Sequence, residues 1–330
     1  MADIALTESF AATSRSAALR RFGRSDARFR VMTLAAALLV VVIFIGIMIS
    51  LIDGALPALR TFGFGFLTTS VWNPVTEKFG AFAAIYGTAV TATLAMLMAV
   101  PLGIGIAIFL TELCPRSLKR PIGIAIELLA GVPSIIYGIW GLFIFAPFFQ
   151  THIQQHVIDF FANIPVLQDL FAGPPYGIGL FTASLILSIM ILPFISAVTR
   201  DVFETVPPML KEAAYGVGCT TWEVMWRIVL PFARSGVVGG AMLALGRALG
   251  ETMAVTFVIG NAHNITASVF APATTISATI ANEFTEALGD LYVSSLIAIG
   301  LILFGITFIV LAAAQILLRS LERRAGGNAP

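Results

Sequence analysis

Long apolar runs alternate along this chain with short segments that carry the charge. Residues 31–52, 79–111, 128–158 and 170–199 contain no Asp, Glu, Lys or Arg. A fifth run begins at residue 235 and is interrupted by Arg247 and Glu251, and a sixth covers 291–318. A bilayer core needs about 20 residues of apolar helix, so the pattern predicts six spans at about 31–52, 84–110, 122–146, 178–199, 236–260 and 292–318. The runs are continuous rather than alternating in polarity. Helices are therefore expected, because a spanning segment must satisfy its backbone within lipid. The first run exceeds the roughly 7–15 residues of a signal-peptide core, so it is read as a retained helix. Pro101, Pro133 and Pro193 fall inside spans. Each removes a backbone donor and is expected to kink its helix; ordinary membrane-helix proline is the plain alternative.

The connections add direction. Of 19 Lys and Arg, six lie before residue 31: Arg15, Arg20, Arg21, Arg24, Arg28 and Arg30. The second connection holds Arg116, Lys119 and Arg120, and the fourth holds Arg200, Lys211, Arg227 and Arg234. The C-terminal segment holds Arg319, Arg323 and Arg324. The three intervening connections hold only Arg60 and Lys78. Basic residues collect on the cytoplasmic side, so both termini are expected there. The segment 1–30 reads either as a helix laying Arg20, Arg24 and Arg28 on an anionic leaflet or as a disordered tail. Composition agrees with a membrane protein. Hydrophobic residues make up 58% and charged residues 11%, against about 25% charged in soluble domains. Mean hydropathy is +0.96. A soluble enzyme, a nucleic-acid binder and a disordered chain are excluded.

Two cysteines, Cys114 and Cys219, are too few for a disulfide framework or a zinc site. His152 and His156 are four apart, but with no further ligands nearby they read as a solvated loop pair, and no metal site is expected. Arg247 and Glu251 are more informative. Each costs roughly 2.5–3.5 kcal/mol at the bilayer centre. At a spacing of four they would share a helix face, in the weaker order for helix support. Two readings follow: a buried ion pair that fixes packing, or a pathway-lining pair in which Arg247 offers a planar fork of donors to an oxyanion. Gly246 and Gly250 could serve close helix packing or leave room around Arg247. Ser134, Tyr137 and Thr252 could donate to an anion or satisfy local backbone. Glu127 is expected to reach the cytoplasmic interface, not Arg247. Between the spans lie three outer connections, 54–83, 147–177 and 261–291.

Residues 200–235 form the least apolar long stretch after the N-terminus. Pro207-Pro208 would open a short helix, glycine would turn the chain, and an amphipathic helix with Trp222 and Trp226 would return to the membrane. The spacing Glu212-Ala213-Ala214, then Gly218, then Ile228, Leu230 and Pro231 resembles the EAA loop of permease subunits in ATP-binding-cassette importers. In that family the loop is a coupling helix seated in a cytoplasmic ATPase. The resemblance implies that contact for Glu212, Ala213, Ala214 and Gly218, with Ile228, Leu230 and Pro231 setting the return into the fifth span.

Further segments sharpen the resemblance. Tyr86-Gly87-Thr88, Pro101-Leu102-Gly103-Ile104-Gly105, Gly131-Val132-Pro133-Ser134-Ile135-Ile136-Tyr137-Gly138 and Gly246-Arg247-Ala248-Leu249-Gly250-Glu251-Thr252-Met253-Ala254 are similar to the phosphate-specific importer permeases. Trp72-Asn73-Pro74 and Trp140-Gly141-Leu142-Phe143 favour the C-type (PstC) over the A-type subunit. The resemblance covers about 70–324 and implies an all-α integral membrane fold of type I ABC importer architecture. It implies a phosphate pathway through Arg247 and Glu251. It also implies an A-type permease partner, two ATPase subunits and an external phosphate-binding protein. The chain lacks a Gly-x-x-x-x-Gly-Lys-Ser/Thr loop, so ATP is expected on the ATPase and no cofactor or catalytic site here. A permease for sulfate or molybdate, or a proton-coupled carrier using Glu251, stand as alternatives. The carrier would call for an inverted repeat and leaves the EAA spacing unexplained.

Overall fold

The computed structural model describes residues 2–165 and 167–326, with side chains described for 28–165 and 167–320. Arg15, Arg20, Arg21, Arg24, Arg323 and Arg324 lie outside the described side chains, and with them the leaflet-facing reading of the N-terminal segment.

The chain divides into two units, 1–54 and 55–330. The first unit is helical and belongs to α1 (Ala2–Phe62). Its apolar side chains from Val31 to Ile49 are almost all exposed, as expected of a helix that meets lipid or another chain.

The second unit holds the end of α1 and α2 (Phe82–Leu113), α3 (Arg116–Ala130), α4 (Ser134–Phe161), α5 (Leu180–Glu204), α6 (Pro208–Gly216), α7 (Thr221–Leu249), α8 (Met253–Val258), α9 (Ile276–Glu283) and α10 (Asp290–Gly326). Among the described residues, six helices are long and apolar enough to cross a membrane: Arg28–Phe62, α2, α4, α5, α7 and Asp290–Ser320. The fourth and sixth expected spans match α5 and the Asp290–Ser320 part of α10 to within a few residues. Pro101 and Pro193 lie within unbroken α2 and α5.

Helix α5 is the hub. Its inward face carries Ile186, Leu187, Met190, Ile191 and Ile195, all buried. Opposite it, α2 presents small residues at helical spacing, Ala92, Ala95, Ala99 and Gly103. In lipid, apolar surface alone does not drive helices together, so small residues that admit close backbone approach decide which faces meet. Gly103 shows this directly: a Cβ there would lie 2.7 Å from Ile195 Cγ2. On the other side, Gly236 and Gly240 of α7 receive Val202 and Val198 of α5, with ideal Cβ positions 2.5 and 2.7 Å from the valine methyls. A second apolar cluster joins Ala55 and Ala58 to Phe66, Phe79, Leu296 and Ile299. A third packs Phe203, Val206, Ala214, Met225 and Val229 beneath α6.

Two expected spans are corrected. The third, placed at 122–146, is in fact two helices. Chain 116–130 forms α3, Gly131-Val132-Pro133 breaks it, and the span restarts as α4 and runs to Phe161. Pro133 disfavours helix at the residue before it and supplies no N–H, so it opens the new helix. Much of the expected outer connection 147–177 is therefore helix, and His152 and His156 are exposed on α4 rather than in a loop. The fifth span, placed at 236–260, starts at Thr221, ends at Leu249 and resumes only as the short α8. Helix α7 continues the amphipathic return segment without a stop.

Candidate functional site

The two breaks, 131–133 and 250–252, lie at the starts of helices that run side by side. Gly138 of α4 abuts α8: a Cβ there would lie 2.8 Å from Phe257 Cδ2, 3.1 Å from Met253 O and 3.2 Å from Ala254 Cα. One turn on, Gly141 meets Val258 and, from α5, Ile186. Contacts advance in the same direction on both helices, so α4 and α8 are parallel; Gly138 lies opposite Ala254, and Ser134 therefore lies about one turn before the level of Met253. Non-helical backbone at membrane depth is tolerated only where protein or a polar cavity receives it. Local bonds answer part of that demand. Tyr137 donates its hydroxyl to Leu129 O at 2.8 Å, closing the α3–α4 break. Thr256 donates to Thr252 O at 2.7 Å.

Arg247 lies in the last turn of α7, where a cation complements the helix carbonyl end. It is exposed, and it forms no ion pair among the described residues. Glu251 follows the Gly250 cap and accepts from Ala254 N at 3.3 Å, placing its carboxylate at the start of α8. The expected shared helix face is thus overturned: glycine at 250 ends the helix between the two charges. The glycines also separate in role. Gly246 faces Leu311 of α10 at ordinary contact distance, whereas Gly250 meets no other helix. Ser134 and Thr252 are half-buried beside the breaks. Glu127 is held elsewhere, 2.9 Å from Arg200, a pairing that sequence spacing did not reveal.

The EAA segment folds as expected. Pro207 caps α6 and Pro208 occupies its first turn. Gly218 adopts φ +90° and donates its N–H to Tyr215 O at 3.0 Å. Glycine suits that turn because an L side chain rarely takes a positive φ. Thr220 and Glu223 then form a reciprocal capping box that starts α7. Ala214 is buried, while Glu212, Ala213 and Gly218 are exposed. Met209, Tyr215 and Val217 are exposed apolar residues on the same segment; the motif spacing did not single them out. Ile228 and Leu230 pack into the cluster beneath α6, and Pro231 is exposed. Lys211 reaches from α6 to Glu112 at the end of α2, 2.5 Å away, with side chains 19% and 11% exposed. That pair mechanically ties α6 to a spanning helix. Trp222 and Trp226 are exposed one turn apart with ring centroids at 5.3 Å.

At the other end of the unit, Glu283 of α9 gathers three elements. It accepts from Trp72 Nε1, from Tyr292 at 2.7 Å, and contacts His263 Nε2 at 3.0 Å. His263 stacks on Trp72 with centroids 5.4 Å apart. Burial pushes the Glu283 carboxyl up, but the bonds from His263, Tyr292 and Trp72 outweigh it and hold it below the ordinary glutamate range. The sequence showed Trp72 and Glu283 in separate outer connections and gave no sign that they meet.

Residues 99–323 match the family described as binding-protein-dependent transport system inner membrane component. A phosphate transport system permease protein PstC of Mesorhizobium japonicum is 67% identical over 314 residues, covering 95% of this chain and 96% of that protein. The protein of the same name from Pasteurella multocida is 57% identical over 298 residues, covering 90% and 93%. A probable one from Methanocaldococcus jannaschii is 38% identical over 298 residues, covering 88% and 93%. Among solved structures, a chain of a bacterial alginate ABC transporter in complex with its alginate-bound periplasmic protein superposes with a TM-score of 0.60. It is 20% identical and covers 88% of this chain and 96% of its own length. A chain of an inward-facing methionine ABC transporter gives a TM-score of 0.51 at 17% identity, covering 73% and 94%.

Proposed function

We propose that this chain, which belongs to the binding-protein-dependent transport system inner membrane components and among them to the PstC-type permeases, forms half of the pathway of an ATP-driven phosphate importer. Its fold is that of type I ABC importer permeases, and it is a multi-pass inner-membrane protein. It works with other transporter subunits and a substrate-binding protein. The finer assembly belongs to the proposal: an A-type permease completes the pathway, two ATPase subunits bind the ATP, and both termini face the cytoplasm. The basic end that carries α6 is then the cytoplasmic end. The chain itself supplies passage and coupling rather than a catalytic site.

The observation that carries this reading is Arg247. It stands just before the 250–252 break without a fixed carboxylate partner among the described residues, since Glu251 is turned to the start of α8. A guanidinium with free donors at a break of this kind suits a tetrahedral oxyanion, and broken spans commonly aim helix starts at anionic substrates. Glu251 keeps one negative charge close by, which favours release over tight capture. Coupling follows from α6. Glu212, Ala213, Ala214 and Gly218 meet the ATPase together with exposed Met209, Tyr215 and Val217. Motion of α6 then reaches α2 through Lys211 and Glu112, and α5 and α7 through the apolar cluster at Phe203 and Val229.

The test is ATP-dependent uptake of radiolabelled phosphate by the reconstituted complex with its binding protein, comparing wild type with Arg247→Gln. Loss of uptake with assembly and ATPase docking intact is expected. Undiminished uptake would place the phosphate route elsewhere and make Arg247 structural.

A further inference from the structure

The α6 end of the bundle contains a second basic site, unconnected with the breaks. A cavity of about 290 Å³ opens between the first turns of α3 and the last turns of α5. Arg116, Lys119 and Arg120 line it from α3, and Arg200 and Glu204 from α5, with Glu127 further along α3. The acids are already used. Lys119 pairs with Glu204 at 3.0 Å, and Arg200 pairs with Glu127 and Asp201 at 2.9 Å each. Arg200 reaches over α3 because residue 123 is glycine; a Cβ there would lie 3.1 Å from Arg200 Nη1. Arg116 and Arg120 remain, one turn apart on one face, exposed and without an ion pair among the described residues.

Helix energetics do not account for them. Arg116, the first residue of α3, opposes the helix dipole, and Arg120 adds a like charge one turn on. An anion bound there would reverse that cost, since it meets both the positive helix end and two guanidinium forks. The remainder of α3 indicates what carries the anion. Ile124 and Leu128 are exposed beyond the basic turn, flanking the same face. Arg116 and Leu128 are about 18 Å apart along the helix, close to one headgroup layer plus much of a leaflet of about 15 Å. Free phosphate has no use for that apolar strip, but an acyl chain does. We propose that the α3–α5 groove binds the phosphate group of an anionic phospholipid, with Arg116 and Arg120 on the headgroup and Ile124 and Leu128 along the chain.

The experiment is native mass spectrometry of the co-purified complex, titrated with phosphatidylglycerol or phosphatidylcholine, with inorganic phosphate as competitor. At about fivefold per basic side chain, Arg116→Gln/Arg120→Gln should weaken phosphatidylglycerol binding by about 30-fold. Arg60→Gln, which lies outside the groove, should leave it unchanged. Arg116→Lys/Arg120→Lys should keep most of it, because lysine still meets phosphate as a point charge, and this separates lost charge from lost folding. Phosphatidylcholine binding should not depend on the two arginines. Equal phosphatidylglycerol binding by the Gln variant would overturn the proposal. Displacement of the lipid by inorganic phosphate would overturn the lipid as the source of the phosphate group. Loss of the ATPase from the Gln variant with lipid retained would make the groove a protein interface and overturn it as well.

Discussion

Replacing Gly138 with alanine tests whether the α4–α8 seam holds the two helix breaks in place. The added Cβ would lie 2.8 Å from Phe257 Cδ2 and 3.2 Å from Ala254 Cα. Carbon atoms pack best at about 3.5–4.0 Å, so the ring must yield by about 0.7 Å and the α8 backbone by about 0.3 Å. The ring can turn; the backbone can yield only if α8 moves. Overpacking of this kind costs about 1–3 kcal/mol, and better helix propensity returns about 1 kcal/mol. The net expectation is a loss of about 0–2 kcal/mol with α8 displaced from α4. Gly105→Ala is the control: glycine 105 is helical and meets nothing within 4 Å, so alanine should stabilise by about 0.5–1 kcal/mol. The assays are thermal unfolding of the purified complex and ATP-driven phosphate uptake in proteoliposomes. Gly138→Ala should unfold at lower temperature than Gly105→Ala and transport poorly while still assembling. If both variants are stabilised and both transport normally, the seam does not position the breaks and the reasoning fails.

Other perturbations separate the remaining elements. Lys211→Met should leave the Glu112 carboxylate without its cation, cost about 1.5–3 kcal/mol and uncouple ATP hydrolysis from uptake, whereas Lys211→Met/Glu112→Leu should recover stability; a double-mutant cycle showing no coupling would remove the pair from the mechanism. At Gly218, with φ +90°, Val should cost about 1–2 kcal/mol more than Asn, and co-purification with the ATPase should fall in that order. Glu283 has its carboxyl held low in the folded state. Between its folded and unfolded pKa values the unfolded chain binds more protons, so its contribution is complete above the ordinary glutamate range and lost as pH falls through the lowered value. Glu283→Gln should flatten the fall in melting temperature on acidification, and an unchanged slope would show that other carboxylates carry it.

How legible each feature was depended on its range along the chain. The EAA helix could be read because proline, alanine and glycine act locally: Pro208 starts α6 and Gly218 turns it. Arg247 stood out because charge is rare at that depth. Its relation to Glu251 is not legible in the same way, since a spacing of four implies a shared face only while the helix continues, and Gly250 ends it. The break before the third span is hidden for a related reason. Hydropathy runs without interruption across Gly131-Val132-Pro133, so an apolar window cannot detect a break that lies within the membrane. The links Lys211–Glu112, Arg200–Glu127 and Glu283–Trp72 bridge distant segments, and nothing in either partner's neighbourhood announces the other.

Hydropathy and backbone chemistry along the chain were thus enough to determine six helical spans, a basic end and a short helix and glycine turn between two spans, because lipid admits only self-satisfied helices and each residue bears that demand locally. Tertiary structure alone decided that α4 and α8 lie parallel with Gly138 against Ala254, that Glu251 turns from Arg247 to the start of α8, and that Arg116 and Arg120 share a groove with Arg200. Those outcomes depend on which small residues admit a neighbouring backbone, as Gly138 admits α8 and Gly123 admits Arg200, and that fit exists only once the helices are packed.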